Sequence, residues 1–542
     1  MAIPSTPNES TAASHEVSEA ALAPLRSPVF RMLWGAWLTA NICMWMNDVA
    51  AAWLMTSLTT SPIMVALVQS ASTLPVFLLG LPSGALADIL DRRRYFIVTQ
   101  FWVAAVALVV CVTLLAGAMT APVLLVLTFA NGIGLAMRWP VFAAIVPELV
   151  PRPQLPAALA LNGVAMNASR IVGPLVAGAV IASAGSAYVF VLNAVLSVLA
   201  GFAIMRWKRE QKPSALPGER FVGAMRVGLQ HVRQSTRMHA VLLRISLFFL
   251  QATGLMALMP LVAKGMPDGD AGTFTMLLAA LGVGAIAAAL SLQKLRRYMN
   301  RDDLVHKGSI VVALATLVVA FSPNVWVAMP AMVIAGMAWI SVANSLTVSA
   351  QLALPNWVRA RGMSIYQMAL MGSSAAGAAV WGQVASLTDV RTGLVASAVF
   401  GGIVLWWARK YKVEAQVEED LTPTQVVKPP EVSIPIDPDA GPVLITIEYR
   451  IDPGRAEEFH AVMEETRRAR LRQGALSWEL FRDTADPTRY VEYLVDESWV
   501  EHLRRFDRFT AADDALRERR LRFHVGDGPP VVKRCIAEPI GR

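Results

Sequence analysis

Charge is what this chain has least of. Only 16% of its 542 residues are Asp, Glu, Lys or Arg, against roughly 25% in soluble domains. Hydrophobic residues make up 55% and the mean hydropathy is +0.48, so a membrane protein is the expected class. Cysteine is nearly missing. Cys43 and Cys111 lie in apolar runs and Cys535 near the end, without ligand spacing, so neither a disulfide framework nor a metal site is expected. No Gly-x-x-x-x-Gly-Lys-Ser/Thr loop occurs, which leaves ATP drive unsupported, and no cofactor is implied. The stretch from Met1 to about Pro24 is rich in Ser, Thr, Pro and Glu but has no apolar h-region. That predicts a disordered cytoplasmic arm over 1–29 rather than a cleaved signal peptide. The net charge of +8 is confined to particular loops, which reads as orientation in a bilayer and not as nucleic-acid binding.

Long apolar runs are what the chain does have. A bilayer-spanning helix needs about 20 apolar residues. Twelve such segments are expected, near 31–57, 62–87, 95–117, 121–146, 157–183, 186–206, 239–263, 271–293, 305–322, 325–350, 362–387 and 390–410. The loops between them alternate in composition. One set carries Arg92–Arg94, Arg152, the basic stretch from Arg206 to Arg237, Lys294–Arg301, Arg359–Arg361 and Arg409–Lys412. The other set is nearly free of Lys and Arg, with Lys264 and Arg391 as its exceptions. Short cytoplasmic loops collect basic residues, so both termini are expected in the cytoplasm of a multi-pass inner (plasma) membrane protein. The basic middle loop, 208–238, divides the spans into a bundle over 30–207 and another over 239–412, which suggests two packed halves. Pro147-Glu-Leu-Val before the fifth span is echoed by Pro355-Asn-Trp-Val before the eleventh.

Beyond Lys412 the chain turns polar and Pro-rich, a linker over 413–441. A soluble domain is expected over 442–537. Val443–Arg450 alternates like a strand, and Arg455–Gln473 reads as a helix with Phe459, Val462 and Met463 on one face. Strands near Ser477–Asp483 and Arg489–Val495, a helix from Glu497 to Arg520 and a strand at Val531–Cys535 complete a β-α-β-β-α-β order, the ferredoxin-like unit.

Particular motifs sharpen this outline. Gly84, Asp88, Arg92 and Arg93 stand in a Gly-x-x-x-Asp-x-x-x-Arg-Arg turn between the second and third spans. Gly173-Pro174-Leu-Val-Ala177-Gly178 follows Asn162, Asn167, Ser169 and Arg170 in the fifth. Pro147-Glu-Leu-Val-Pro151 leads into Ala158-Leu-Ala-Leu-Asn162. With these motifs the chain resembles a major facilitator superfamily transporter. More closely it resembles the transmembrane secretion effector branch, which includes the enterobactin exporter. The resemblance implies an all-α, twelve-helix (6+6) membrane fold with a small α+β tail. It implies that Gly84, Asp88, Asp91, Arg92 and Arg93 form a conformational latch docking on the other half, and that Gly173, Pro174 and Gly178 form the bend of an exporter's fifth span. Ile89 and Asp91 depart from the family's latch pattern, and Thr128 replaces the Arg of the drug-antiporter motif, so no proton-relay role transfers there. The tail resembles antibiotic-biosynthesis monooxygenase-like domains through Glu497-Ser-Trp499-Val-Glu-His502-Leu. Some members of that group are enzymes and others only bind or dimerise. His460, His502 and His524 have no Cys or carboxylate at metal spacing. A dimerising or ligand-sensing tail is therefore expected over a catalytic one, and with it a homodimer through the tail.

An ionisable group at membrane depth is a functional candidate by default. Asp48 in the first span and Arg170 in the fifth are therefore candidates for proton coupling and substrate contact, with Asn162 and Asn167 as polar neighbours. Each has a plainer reading, Asp48 as a helix-end acid and Arg170 as an interhelical hydrogen-bonding or snorkelling residue. Arg138 and Arg244 read as snorkelling. Asn41, Gln69, Asn131, Asn162, Asn167, Gln251, Asn344 and Gln367 each read as helix–helix glue and together suit a polar pathway, while Trp45, Trp53, Trp139 and Trp381 read as interface tryptophans that can also stack a flat substrate. Together these features predict a proton-coupled secondary exporter of a small amphiphilic metabolite, siderophore or drug, working by alternating access. The alternatives are a transporter that anchors a tail enzyme acting on polycyclic substrates, and uptake or lipid flipping by the same fold.

Overall fold

The computed structural model describes residues 22–207, 221–414, 419–424, 430 and 435–538. Most of the arm over 1–29, the start of the middle loop and parts of the Pro-rich linker lie outside the described residues. The first six long helices are α1 (Pro28–Leu58), α2 (Pro62–Ile89), α3 (Arg92–Leu115), α4 (Ala121–Leu149), α5 (Leu155–Ala184) and α6 (Ser186–Met205). A shorter helix, α7 (Phe221–Gln234), follows. The second six are α8 (Thr236–Gly265), α9 (Ala271–Leu295), α10 (Arg301–Phe321), α11 (Val325–Leu352), α12 (Arg359–Leu387) and α13 (Val390–Ala408).

Each expected span has its helix. Among the described residues, ten of the twelve are long and apolar enough to cross a membrane. The two below that mark are α1 and α12. Their sequences explain it: α1 carries Asn41, Asn47 and Asp48, and α12 is built largely of Gly, Ala and Ser. A helix surrounded by its neighbours has no need to be apolar all round.

Local chemistry fixes the helix ends. Ser27 caps α1, accepting from Phe30 N, with Pro28 at the first position, where a missing N–H costs nothing. Asp91 caps α3, its carboxylate accepting from Arg94 N at 2.8 Å. Asp270 and Thr273 form a capping box on α9.

The chain divides into two compact units. In the first, both sets of six helices share a continuous apolar core. Met46, Leu54 and Met55 of α1 and Val65 of α2 pack in it with Leu258 and Met259 of α8 and Phe274 of α9. These residues lie toward the bundle end opposite Arg92–Arg94. A separate core holds Phe30, Leu33, Trp37, Phe96 and Phe142 nearer the arginine end of the first six helices.

The second unit gathers Ser214–Leu242, Thr347–Tyr366 and Lys412–Arg542. Its centre is a four-stranded antiparallel sheet of β1 (Val443–Arg450), β2 (Ser477–Arg482), β3 (Arg489–Asp496) and β4 (Val531–Ile536) in the order β2-β3-β1-β4. With α14 (Ala456–Arg472), α15 (Trp499–Asp507) and α16 (Ala511–Leu521), the order is that of the expected ferredoxin-like unit. The single helix expected over 497–520 is broken at Arg508–Thr510. Thr510 and Asp513 start a new capping box there, which begins α16 instead of continuing α15.

The middle loop also differs from a plain linker. α7 is amphipathic, burying Val227, His231 and Val232. It packs on the tail through Arg226–Glu497 (2.7 Å) and Gln230 Nε2 to the Ala475 carbonyl (2.7 Å). The ring of His231 stands edge-on to Trp357 with centroids 5.4 Å apart.

Candidate transport pathway

The first candidate is set by a helical hairpin. α1 and α2 run antiparallel about the Thr59–Ser61 turn. Asp48 and Ser72 each lie ten residues in from the helix ends at that turn, so they sit at equal depth. Ser72 Oγ donates to Asp48 Oδ1 at 3.0 Å. Beside them is a cavity of about 20 Å³ lined by Asp48, Val65, Gln69 and Ser72 and, from α8, Met256 and Ala257. That is room for one water. The acid expected inside the first span thus meets a polar chamber where the two six-helix halves touch.

Arg170 is set by the packing of α5 on α1. Trp34 Nε1 donates to the Leu161 carbonyl at 3.1 Å. Higher up, Gly173 lies so close to Trp45 and to the Ile42 carbonyl that a Cβ has no room. This approach brings the Arg170 guanidinium over the Trp45 ring, 5.4 Å from its centroid. Among the described residues no carboxylate pairs with Arg170 and no hydrogen bond involves its side chain. Pro174 follows inside the helix, and having no N–H it cannot bond the Arg170 carbonyl one turn back. Asn162 Oδ1 is buried with no donor, while the side chain of Asn167 lies outside the described residues.

Gly178 faces Thr275 of α9 at contact distance, which joins the halves at the end opposite the arginines. The same end is closed by Trp53 stacked on Phe274 (6.0 Å) and by Lys264 Nζ, which donates to the Thr56 carbonyl at 2.5 Å. Ser70 Oγ donates to the Ala375 carbonyl at 2.7 Å. Lys264 and Arg391 are the two exceptions on the Lys/Arg-poor side, and both are tethered, Arg391 to the Ala320 carbonyl at 3.2 Å.

The latch residues distribute differently from one another. Asp91 is the α3 cap. Arg92 pairs with Glu148 of α4 at 2.5 Å, and Arg93 donates to the Met205 carbonyl of α6 at 2.5 Å. These contacts all lie within the first six helices. The side chains at Gly84 and Asp88 lie outside the described residues.

Other polar groups resolve into packing. Asn193 Nδ2 donates to Asn47 Oδ1 (3.4 Å) and Ser197 Oγ to Asn193 Oδ1 (3.2 Å), an interhelical ladder between α1 and α6. Arg138 lies over Trp37 and donates to the Ala40 carbonyl at 3.3 Å. Arg244 differs from the snorkelling expectation: it is buried and paired with Asp302 at 2.7 Å, because the α10 start supplies a carboxylate at that depth. Ser72 escaped the sequence reading. Its distance from the turn, matched to that of Asp48, was the available signal.

Two of the tail's three histidines are held in hydrogen bonds. His502 is buried with Nδ1 2.8 Å from Asp496 Oδ2, and Arg534 Nε donates to its Nε2 at 3.2 Å. Burial holds its pKa below the ordinary value, against the opposing pull of Asp496. His524 Nδ1 accepts from Arg450 N at 3.0 Å, and His460 stands edge-on to Tyr490. Among the described residues no group of three or more His, Cys, Asp or Glu is placed to hold a metal.

The profile of a family described as "Transmembrane secretion effector" matches residues 19–540. The Staphyloferrin A transporter of Staphylococcus aureus is 22% identical over 282 residues, 51% of this chain and 70% of that protein. The multidrug efflux pump Tap of Mycolicibacterium fortuitum is 28% identical over 356 residues, 63% of this chain and 85% of the pump. Among solved structures, a bacterial homologue of the human lysosomal transporter Spinster, inward-facing and unoccupied, superposes with a TM-score of 0.58 at 15% identity, covering 72% of this chain and 98% of that one. The nucleoside transporter NupG gives 0.58 at 12% identity, with 71% and 99% covered. At these identities the structural likeness speaks for the fold alone. The family match runs over nearly the whole sequence, all twelve long helices are in place, and the chain therefore belongs to the transmembrane secretion effector family of major facilitator transporters.

Proposed function

We propose that the protein is a proton-coupled secondary exporter of a small amphiphilic solute, with Asp48 as the proton-carrying group. The observation that carries this is the Asp48 chamber, a membrane-depth carboxylate held by Ser72 beside a one-water cavity whose walls come from both halves. A rocking motion that parts the halves changes the hydration of that carboxylate, which is what coupling requires. The functions for which the relatives are named, siderophore transport and drug efflux, support the class of solute and the outward direction. The basic loops support a cytoplasmic arginine end and a plasma-membrane location. The Gly84–Arg93 turn at that end acts as a latch, and Gly173, Pro174 and Gly178 keep α5 close to α1 and α9.

The tail in this reading is not catalytic: His502 and His524 are held in hydrogen bonds, and His460 is an exposed residue on the α14 surface. One face of its sheet exposes Phe481 and Val531, which supports association with a second copy; Phe481→Asp should then convert a dimeric purified protein to monomers. The test of the main reading is proton-driven transport of a siderophore or of the dye fluorescein in proteoliposomes. Asp48→Asn is expected to lose proton-driven movement by about 100-fold or more while still inserting. Wild-type rates in Asp48→Asn would remove the proton assignment, and wild-type rates in Asp88→Asn would remove the latch.

A further inference from the structure

The cations at membrane depth are not alike. Arg138 donates to the Ala40 carbonyl, Arg244 to Asp302, Lys264 to the Thr56 carbonyl and Arg391 to the Ala320 carbonyl. Among the described residues, Arg170 has only the face of Trp45. A guanidinium stays charged under all ordinary conditions and carries five N–H donors in its plane. Stacking on an indole uses the face and none of those donors. What remains is a planar fork beside the ring, at the close α1–α5 approach of Gly173. Such a fork matches a carboxylate, which accepts two parallel bonds from it.

The surroundings add a second point. Asn162 lies eight residues nearer the arginine end, about 12 Å along α5 and within a quarter-turn of Arg170. Its Oδ1 is buried without a donor among the described residues. Asp48, one turn beyond Trp45 on α1, makes its hydrogen bond to Ser72 and no ion pair with Arg170. Among the described residues, the wall formed by α1 and α5 therefore offers a cation with no protein hydrogen-bond partner beside an aromatic face, and further along a buried acceptor without a donor.

We infer that Arg170 and Trp45 form the subsite for the anionic end of the solute, and that the solute is a flat or amphiphilic carboxylate with a hydroxyl or amide donor further along. This deepens the exporter reading and rests on it. Its energetics fit export: a carboxylate leaving and a proton entering both move with an inside-negative potential, each charge contributing about 2.3 kcal/mol per 100 mV.

The test uses purified full-length protein in neutral detergent and two dyes with the same xanthene ring, anionic fluorescein and cationic rhodamine 123. Wild type should retain fluorescein in preference to rhodamine 123. Arg170→Gln should bind fluorescein about tenfold more weakly or worse. Arg170→Lys, which keeps the charge but loses the fork, should fall between. Arg138→Lys, where the guanidinium is tied to the Ala40 carbonyl through Nη2, should bind like wild type. Size-exclusion profiles check folding, and the lysine variant keeps the test decisive if the glutamine variant misfolds. Equal retention of the two dyes by wild type, or undiminished fluorescein binding by Arg170→Gln and Arg170→Lys, overturns the inference. Phosphatidylglycerol added to the micelles should leave retention unchanged; displacement would make the anion a lipid headgroup and overturn the solute assignment. Because no proton gradient is present, loss of the exporter reading in the Asp48 experiment leaves this binding result standing, and the reverse holds as well.

Discussion

The tail and the bundle both bury charge, and they treat it in opposite ways. In the tail, Glu492 is fully buried and accepts from three donors: Arg470 Nε (3.0 Å), Trp478 Nε1 (3.0 Å) and the Tyr449 hydroxyl (2.8 Å). Burial alone would raise its pKa, but Arg470 and Arg520 outweigh that and draw it down to about 2. Asp496 is likewise shared by His502 and Arg505. In the bundle, among the described residues, Asp48 has one serine and Arg170 one indole face. A charge with a complete set of partners specifies a fold. A charge left incomplete is placed for something that arrives and leaves, here a proton and a solute.

The largest effect that can break this contrast is in the tail. Glu492→Ala strands Arg470 and two further donors, and removing one partner of a buried pair costs about 3–5 kcal/mol. The full chain should then lose the tail's resistance to trypsin while the bundle stays intact. Unchanged protection would mean that the tail network is no more structural than Asp48.

Next in size is the seat of α7 on the tail. His231 is held neutral, its pKa lowered to about 4 by burial first and by Arg472 second. Its folded value lies below the ordinary 6.5, so the unfolded or undocked state binds the proton more tightly. The contribution is complete above pH 6.5 and is lost as pH falls toward 4, reaching about 3 kcal/mol. Proteolysis between α7 and α8 should rise over that window. His502 is held low for the same reason, so His231→Gln isolates the α7 share: it should remove most of the pH dependence at this site.

The bundle should respond with the opposite sign. If Arg170 is an unpaired buried cation, Arg170→Met should raise the thermal stability of the ligand-free bundle by about 1–2 kcal/mol. A loss of stability would put Arg170 with Arg244, among the structural charges.

The helices were legible because apolar runs of bilayer length leave few alternatives, and because loop arginines mark one side. The tail's order was legible from strand alternation, and that alternation also points Glu492 and Asp496 inward with Tyr490 and Leu494. Two acids on the buried face were a signal of the network that the motif-led reading passed over. The break before Thr510 was not read, since a capping box inside a charged helical stretch competes locally with helix continuation. The role of α7 was hidden for a different reason: its partners, Ala475, Glu497 and Trp357, lie more than a hundred residues away. Asp48 and Arg170 stood out singly through their cost in a membrane. What joined each to its neighbour was helix register, which a sequence gives only where a tight turn fixes it.

That register supplies the finest test. Ser72 reaches Asp48 because both are equally far from the Thr59–Ser61 turn. Ser72→Ala removes the hydroxyl but enlarges a cavity of about 20 Å³ that already has room for one water. A second water can then donate to the carboxylate at little cost, so proton-driven transport should fall only a few-fold. Ser72→Val removes the donor and fills the space, so no water can replace it, and its loss should clearly exceed that of the alanine variant. Equal losses in the two variants would mean that the cavity does not hydrate Asp48, and the chamber would then be a packing defect between α2 and α8.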